Sequence, residues 1–282
     1  MLKVVPAVGA NVELLPLTKW VGGKRRLAPA LLAFMPRRWS GDYWEPFVGG
    51  GAIFCALYNA GRLKGRRVVL ADRNKALIDL YRFVQATPKK LIDSLTYMRD
   101  RYEDVGGEAF YREQRDLWNA GHHMPARLVF LLQTCFNGLW RENAKGLMNT
   151  PWGKHKRPSL FDVANVMAWH KALQGVELRD GDYATTCKPK SGDLVYLDPP
   201  YADTFTNYAA GGFGPKHQVA LLQKAQGWRV FGTKVYASNS LAIEPLLDKH
   251  APTATRHRVT TNYLVNRDGQ GRTDTQELLV IW

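Results

Sequence analysis

Four consecutive residues, Asp198, Pro199, Pro200 and Tyr201, could carry chemistry on a planar aromatic amine such as the exocyclic nitrogen of adenine. Such an amine is a poor nucleophile because its lone pair is delocalised into the ring. The Asp198 carboxylate and the Pro199 carbonyl are two acceptors that can each take one amine N–H and favour a tetrahedral nitrogen. The two prolines fix φ and offer no competing N–H, while Tyr201 supplies a flat face for stacking. The same tetrapeptide also fits an ordinary turn, since proline-rich stretches punctuate chains in many proteins.

The element that must position these residues is the run before them, Asp193-Leu-Val-Tyr-Leu197, which reads as a buried strand. Ligands in open α/β sheets bind beyond the carboxyl ends of the strands, so the tetrapeptide is expected at the rim of a ligand crevice. Two further stretches have the same strand-then-ligand form. Gly41 to Gly51 reads as a strand followed by a glycine loop, and Ala52 to Tyr58 begins a helix. The loop does not complete the GxGxxG pattern, because Phe54 stands at the last position, so a pyrophosphate cofactor is disfavoured. Arg67 to Asp72 is a second strand, ending in an acid about 20 residues beyond the glycines, where related folds grip ribose hydroxyls. Asp72 is therefore a candidate ribose ligand, with helix capping near Asn74 as its alternative role.

Composition limits the classes. The 282-residue chain carries 39 Lys+Arg against 25 Asp+Glu, a formal charge of +14, and 45% of its residues are hydrophobic. That is a globular protein suited to a polyanionic partner, most simply nucleic acid. Three scattered cysteines, Cys55, Cys135 and Cys187, indicate neither a disulfide framework nor a zinc site, and His122 and His123 lack the partners a metal would need. No metal and no membrane are expected, and the thiols and absence of a signal-peptide pattern suggest the cytoplasm.

Near the N-terminus, Thr18 to Arg26 combines two glycines with basic residues ahead of a helical pattern through Leu27, Leu31, Leu32 and Met35. It fits close backbone approach to a ligand, or a glycine turn entering a basic helix. From Lys75 to about Gly121 the pattern is helical and apolar on one face. Cys135 to Arg157 then interleaves Gly, Asn, Arg, Lys and aromatics, the mixture a β-ribbon or loop needs to enter a DNA groove. A helix near Asp162 to Leu173 and a strand from Val176 lead to Asp182 and Tyr183, a plausible adenine pocket. After the tetrapeptide we expect a mobile loop over 202–214, a helix at Gln218 to Gln226, a strand at Arg229 to Tyr236 and a helix at Leu241 to His250. Strands near Thr255 to Tyr263 and Gln276 to Trp282 follow with no helix between them. The alternation predicts an α/β fold with a mostly parallel sheet and an antiparallel hairpin at one edge.

Five motifs in order, KWVGGK at 19–24, EPFVGGG at 45–51, ADRN at 71–74, GDY at 181–183 and DPPY at 198–201, resemble the DNA adenine-N6 methyltransferases of the Dam-like class over nearly the whole chain. The resemblance implies a Rossmann-like catalytic domain, 1–75 and 161–282, with an inserted, mostly helical recognition domain, 76–160, carrying a β-hairpin. It implies S-adenosylmethionine as cofactor, held by Trp20, Lys24, Glu45, Phe47, Gly49, Gly51 and Asp72, with Asp182 and Tyr183 flanking its adenine. Asp198 to Tyr201 would then be the catalytic tetrapeptide, Asp198 also bordering the cofactor. Double-stranded DNA is the implied partner, contacted by Lys19, which reads bases in family members that methylate GATC. FNGLWREN resembles the family's YNGLxRxN, assigning DNA contacts to Phe136, Asn137, Leu139 and Arg141, with Asn149 and Pro151 later in the hairpin. Phe136 replaces the usual Tyr, and His155 stands where Tyr is common. The resemblance embraces solitary, phage and restriction-system enzymes alike, so it does not determine whether a restriction endonuclease is a partner. Two other readings use the same residues: methylation of RNA or another planar amide, and a DNA-binding module without catalysis. KWVGGK and the hairpin speak against the first, and intact Asp72 and Asp198 against the second.

Overall fold

The computed structural model describes residues 12–201, 213–261 and 275–282. Seven strands form one sheet: β1 (Tyr43–Glu45), β2 (Val68–Asp72), β3 (Glu177–Asp180), β4 (Leu194–Leu197), β5 (Lys234–Asn239), β6 (Thr255–Thr261) and β7 (Thr275–Ile281). Their spatial order is β3-β2-β1-β4-β5-β7-β6. The first five are parallel, and β7 runs antiparallel to both β5 and β6. The expected edge hairpin is thus present, with β6 outermost. The chain steps outward from β1 to β2 and β3, then returns to the other side of β1 to lay down β4. The reversal of strand order therefore lies between β1 and β4, whose carboxyl ends carry Glu45 and Asp198, and such a switch point opens a crevice.

Side chains on the strands divide by the two-residue period of the pleat. Tyr43, Val68, Leu70, Leu194 and Tyr196 join one hydrophobic cluster, and their neighbours Trp44, Val69, Val195 and Leu197 join another on the opposite face. Helices α1 (Ala28–Phe34) to α7 (Val163–Ala172) contribute to the first cluster. Of these, α2 (Ala52–Asn59) leaves the glycine loop and α3 (Lys75–Ala86) follows β2. The others are α4 (Pro88–Val105), α5 (Gly107–Asn119) and α6 (Pro125–Thr134), with α1 and α7 completing the set. Helices α8 (Tyr183–Thr186), α9 (Pro215–Val230) and α10 (Glu244–His250) cover the second face. Leu77, Leu91 and Phe130 from the helical segment share the first cluster with Tyr43 and Ile53, so sheet and helices are packed as one continuous core.

Two local expectations are corrected. Arg229 and Val230 complete α9 rather than opening a strand, and β5 begins at Lys234. Helix α9 buries Gln218, Leu221, Leu222 and Ala225 at helical spacing, and the apolar run that reads as a strand is its exposed end, with Val230 73% and Phe231 75% accessible. Gly232, at φ 87°, stops the helix. Second, Cys135 to Arg157 is not a regular β-ribbon. It is held by two isolated antiparallel bridges, Cys135 with Trp152 and Glu142 with Met148. Six residues lie between the bridges on one arm and three on the other, and the extra three form the 3-10 turn Phe136–Gly138. The left-handed Asn137 (φ 54°) and Gly138 (φ 65°) make a continuous strand impossible there. All three cysteines are buried and free. No helix among the described residues is long and apolar enough to cross a membrane.

Candidate active site

The switch point opens into a cavity of about 490 Å³, within the range of small-molecule sites. Its walls come from segments far apart in sequence: Trp20 and Lys24, Glu45 and Phe47 to Gly50, Asp72 to Asn74, Tyr196, and Asp198 to Tyr201. Most residues expected to hold a cofactor and all four of the tetrapeptide therefore converge. Gly51, Asp182 and Tyr183 do not line it. Gly51 (φ 72°) instead makes room for Trp169, whose ring would lie 2.6 Å from an added Cβ. Asp182 caps α8 by accepting from the Ala184 N–H at 2.8 Å, and the Tyr183 ring lies behind Phe47 at 5.4 Å.

Asp72 clasps the glycine loop to the turn that enters α3. One carboxylate oxygen accepts from the Gly49 N–H at 3.0 Å and the other from the Asn74 N–H at 2.9 Å, tying the glycine loop to the end of β2. The helix cap proper is Asn74, whose side chain accepts from the Leu77 N–H. Backbone donors do not exhaust the acceptor capacity of the two oxygens, and Asp72 lines the cavity. Burial raises the Asp72 carboxyl above its ordinary value, and the backbone donors oppose that shift. Across the loop, Tyr81 donates its hydroxyl to the Gly49 carbonyl at 2.6 Å.

Asp198 follows β4. Its buried Oδ1 lies 3.1 Å from the Lys24 ammonium, its polar partner. One cation leaves that oxygen a further lone pair for a ligand's donor. Burial pushes the Asp198 carboxyl up to about 6, with Lys24 pulling down and Glu277 pushing up. Glu45, at the end of β1, is raised to about 8, chiefly by burial, although the Tyr43 hydroxyl donates to it at 2.7 Å. The tetrapeptide is pinned from behind: Gln218 on α9 donates to the Pro200 carbonyl at 2.7 Å, and Asn239 at the end of β5 donates to Gln218 at 3.2 Å.

The basic loop is brought to the same rim. Lys19 passes over Gly138, where an added Cβ would lie 2.9 Å from its side chain, and its ammonium meets the Gln133 carbonyl at 3.5 Å. Phe136 is 49% accessible, and Asn137, Arg141, Asn149, Pro151 and Lys154 are exposed, with Leu139 half-buried. Helix α5 anchors the loop through Tyr111, which donates to the Thr150 carbonyl at 2.8 Å, and Asn119, which pairs with both backbone groups of Met148. Sequence reasoning missed Trp140, which reaches from this loop into the cavity wall, and Glu277, Gln218 and Asn239, which support the tetrapeptide. Trp140 lies inside a motif already in view, whereas the other three stand in segments with no motif. Among the described residues, no group of three or more His, Cys, Asp or Glu side chains could hold a metal ion. The loop expected over 202–214 lies outside the described residues except for Phe213 and Gly214.

Comparison with known proteins agrees with this geometry. The family model described as D12 class N6 adenine-specific DNA methyltransferase matches residues 20–265. The type II methyltransferase M1.LlaDCHI of Lactococcus lactis subsp. cremoris is 30% identical over 285 residues, which span 96% of each protein. M.MjaIII, a type II methyltransferase of Methanocaldococcus jannaschii, is 30% identical over 96% of this chain and 99% of its own. A DNA adenine methylase of Vibrio cholerae is 29% identical over 94% of both. With a match this long over the cavity, the loop and the sheet alike, the chain belongs to the D12 class N6 adenine-specific DNA methyltransferase family and is an adenine-specific DNA methyltransferase.

Proposed function

We propose that this enzyme uses S-adenosylmethionine to methylate N6 of an adenine flipped out of duplex DNA, within GATC or a closely related short site. The observation that carries the reading is the convergence of the buried Asp198 carboxylate, the Pro199 carbonyl and the Tyr201 ring at the rim of a cavity built on the switch point. Asp198 and the Pro199 carbonyl each accept one N–H of the extruded amine, and Tyr201 gives the base its stacking face. Holding the amine in line with the methyl donor removes much of the orientational cost of the reaction.

The cavity suits S-adenosylmethionine. Asp72 has lone pairs for ribose hydroxyls, Trp20 and Phe47 offer flat apolar surface, and the incomplete glycine pattern matches a cofactor without phosphates. Lys24, Glu45 and Gly49 complete its surroundings, with Tyr183 and Asp182 one layer further out and Gly51 supporting the loop. When bound, the cofactor supplies a methyl group activated on a sulfonium.

Residues 76–160 form the recognition part of the molecule in this reading, and 1–75 with 161–282 the catalytic part. Lys19, Asn137, Leu139, Arg141 and Asn149 are the base- and backbone-contacting set, Phe136 wedges into the space the adenine leaves, and Pro151 shapes the loop. The excess of basic residues supports a polyanionic partner. The test is transfer of labelled methyl from S-adenosylmethionine to three polymers of one sequence: duplex DNA, the same duplex already N6-methylated, and RNA. Label should enter the first alone; entry into RNA at a comparable rate would overturn the assignment of substrate.

A further inference from the structure

One largely buried carboxylate behind the tetrapeptide belongs to none of the motifs. Glu277 sits on β7, in the run Gln276-Glu-Leu-Leu-Val280, where its neighbours Leu278 to Val280 are core residues. Its side chain is only 12% exposed. A carboxylate held this far from water is expensive unless it is paired, and its partners explain its position. The Tyr201 hydroxyl donates to Glu277 Oε2. The Lys24 ammonium lies 3.7 Å from the same oxygen, 3.1 Å from Asp198 Oδ1 and 4.6 Å from the centre of the Tyr201 ring. Lys24 is itself 4% exposed and donates to the Gly22 carbonyl at 2.7 Å.

We propose that Glu277 is a positioning residue for methyl transfer, fixing the Tyr201 ring through its hydroxyl and sharing the Lys24 ammonium so that Asp198 stays available to the adenine amine. The physical argument is competition. A lysine with one carboxylate neighbour commits its charge to that neighbour, and hydrogen bonds to charged groups are strong. With Glu277 on its other side at 3.7 Å, Lys24 is divided between two carboxylates and leaves Asp198, at 3.1 Å, acceptor capacity for the amine. Tyr201 contributes because its ring decides where the base stacks: the hydroxyl bond to Glu277 fixes the ring's axis, and the Lys24 ammonium over its face restrains rotation about that axis. Glu277 does not line the cavity and acts through Tyr201 and Lys24.

The inference rests on the reading of Asp198 as the amine acceptor, so Asp198→Ala is measured alongside. The experiment is single-turnover methylation of an adenine-containing duplex by wild type, Glu277→Ala, Glu277→Gln and Asp198→Ala, with cofactor affinity by calorimetry and folding by thermal melt. Glu277→Ala should slow methyl transfer by about tenfold or more while cofactor affinity changes by less than about threefold. Glu277→Gln keeps an acceptor for Tyr201 but loses the charge. The groups facing Asp198 are Lys24 from the N-terminal loop, Glu45 from β1, Tyr196 from β4, Tyr201 beside it and Glu277 from β7. Of these Glu277 is the one the variant alters, so the acidic limb of the rate profile should move to lower pH. A structural role alone would not move that limb. Should Glu277→Ala not fold, the isosteric Glu277→Gln carries the test. Transfer rates within about threefold of wild type in the folded variants, or an unmoved acidic limb in Glu277→Gln, overturn the proposal. If Asp198→Ala also retains wild-type activity, the underlying assignment of the site fails instead.

Discussion

Asp72→Ala should weaken cofactor binding and the fold together, and the two losses can be worked out separately. In the folded chain the carboxylate accepts two backbone N–H groups, from Gly49 at 3.0 Å and Asn74 at 2.9 Å. Truncation leaves both donors without a partner, at about 1–3 kcal/mol for each buried donor. Water entering the cavity will satisfy part of that, so a net destabilisation of about 2–4 kcal/mol is expected, enough to lower Tm by about 5 °C or more. The remaining lone pairs face the cavity, where a ribose hydroxyl bonded to a carboxylate is worth about 1–3 kcal/mol, or about 5- to 150-fold in Kd. Calorimetric titration of the folded variant with S-adenosylmethionine, at a temperature well below its melting transition, isolates the second loss from the first. A lowered Tm with an unchanged Kd would refute the ligand role and leave Asp72 as the clasp between β2 and the glycine loop.

Three further outcomes are expected. Because burial raises Asp198 to about 6 and the ionised carboxylate is the stronger acceptor for an amine hydrogen, kcat/KM should fall as pH drops through about 6. Asp198→Ala should abolish transfer while changing cofactor Kd by less than about tenfold; a flat wild-type profile down to pH 5 would contradict this. Glu45 has a folded value of about 8, above its ordinary one, so the stability it contributes in acid is lost as pH rises toward 8. Glu45→Gln should therefore melt higher than wild type at pH 8 and close to it at pH 5, and equal differences at the two pH values would refute the burial argument. Arg141→Ala should cost about 1–3 kcal/mol at one guanine of the target and relax discrimination there, whereas Lys154→Ala should slow all duplexes alike. Rates on duplexes varied one base pair at a time, at fixed salt, separate the two; a uniform slowing by Arg141→Ala would make it a backbone contact.

Much of this site was legible because its residues follow strands. A short apolar run ending in an acid predicts where the acid goes, and Glu45, Asp72 and Asp198 all emerge at the carboxyl ends of parallel strands. Residues whose role depends on long-range register were not legible. Glu277 lies 76 residues beyond Tyr201, and only the pairing of β7 against β5 brings it to the tetrapeptide. The recognition loop was legible in composition but not in shape, because a ribbon pattern and two bridges around a 3-10 turn share the same mixture of glycine, asparagine and aromatics. The expected strand at Arg229 failed for another reason. Val230 and Phe231 have strand-like side chains, but they are the unburied tail of a helix whose hold on the sheet comes from Leu221, Leu222 and Ala225.

The central claim is methyl transfer to the N6 amine of an adenine in a defined duplex site by the groups around Asp198. The most direct test incubates the protein with labelled S-adenosylmethionine and a mixed library of DNA duplexes, then maps every modified base, with Asp198→Ala in parallel. The account predicts N6-methyladenine confined to one short sequence, GATC or a near relative, and no product from the variant. Label on cytosine, adenine methylation without sequence preference, or equal product from Asp198→Ala would contradict it.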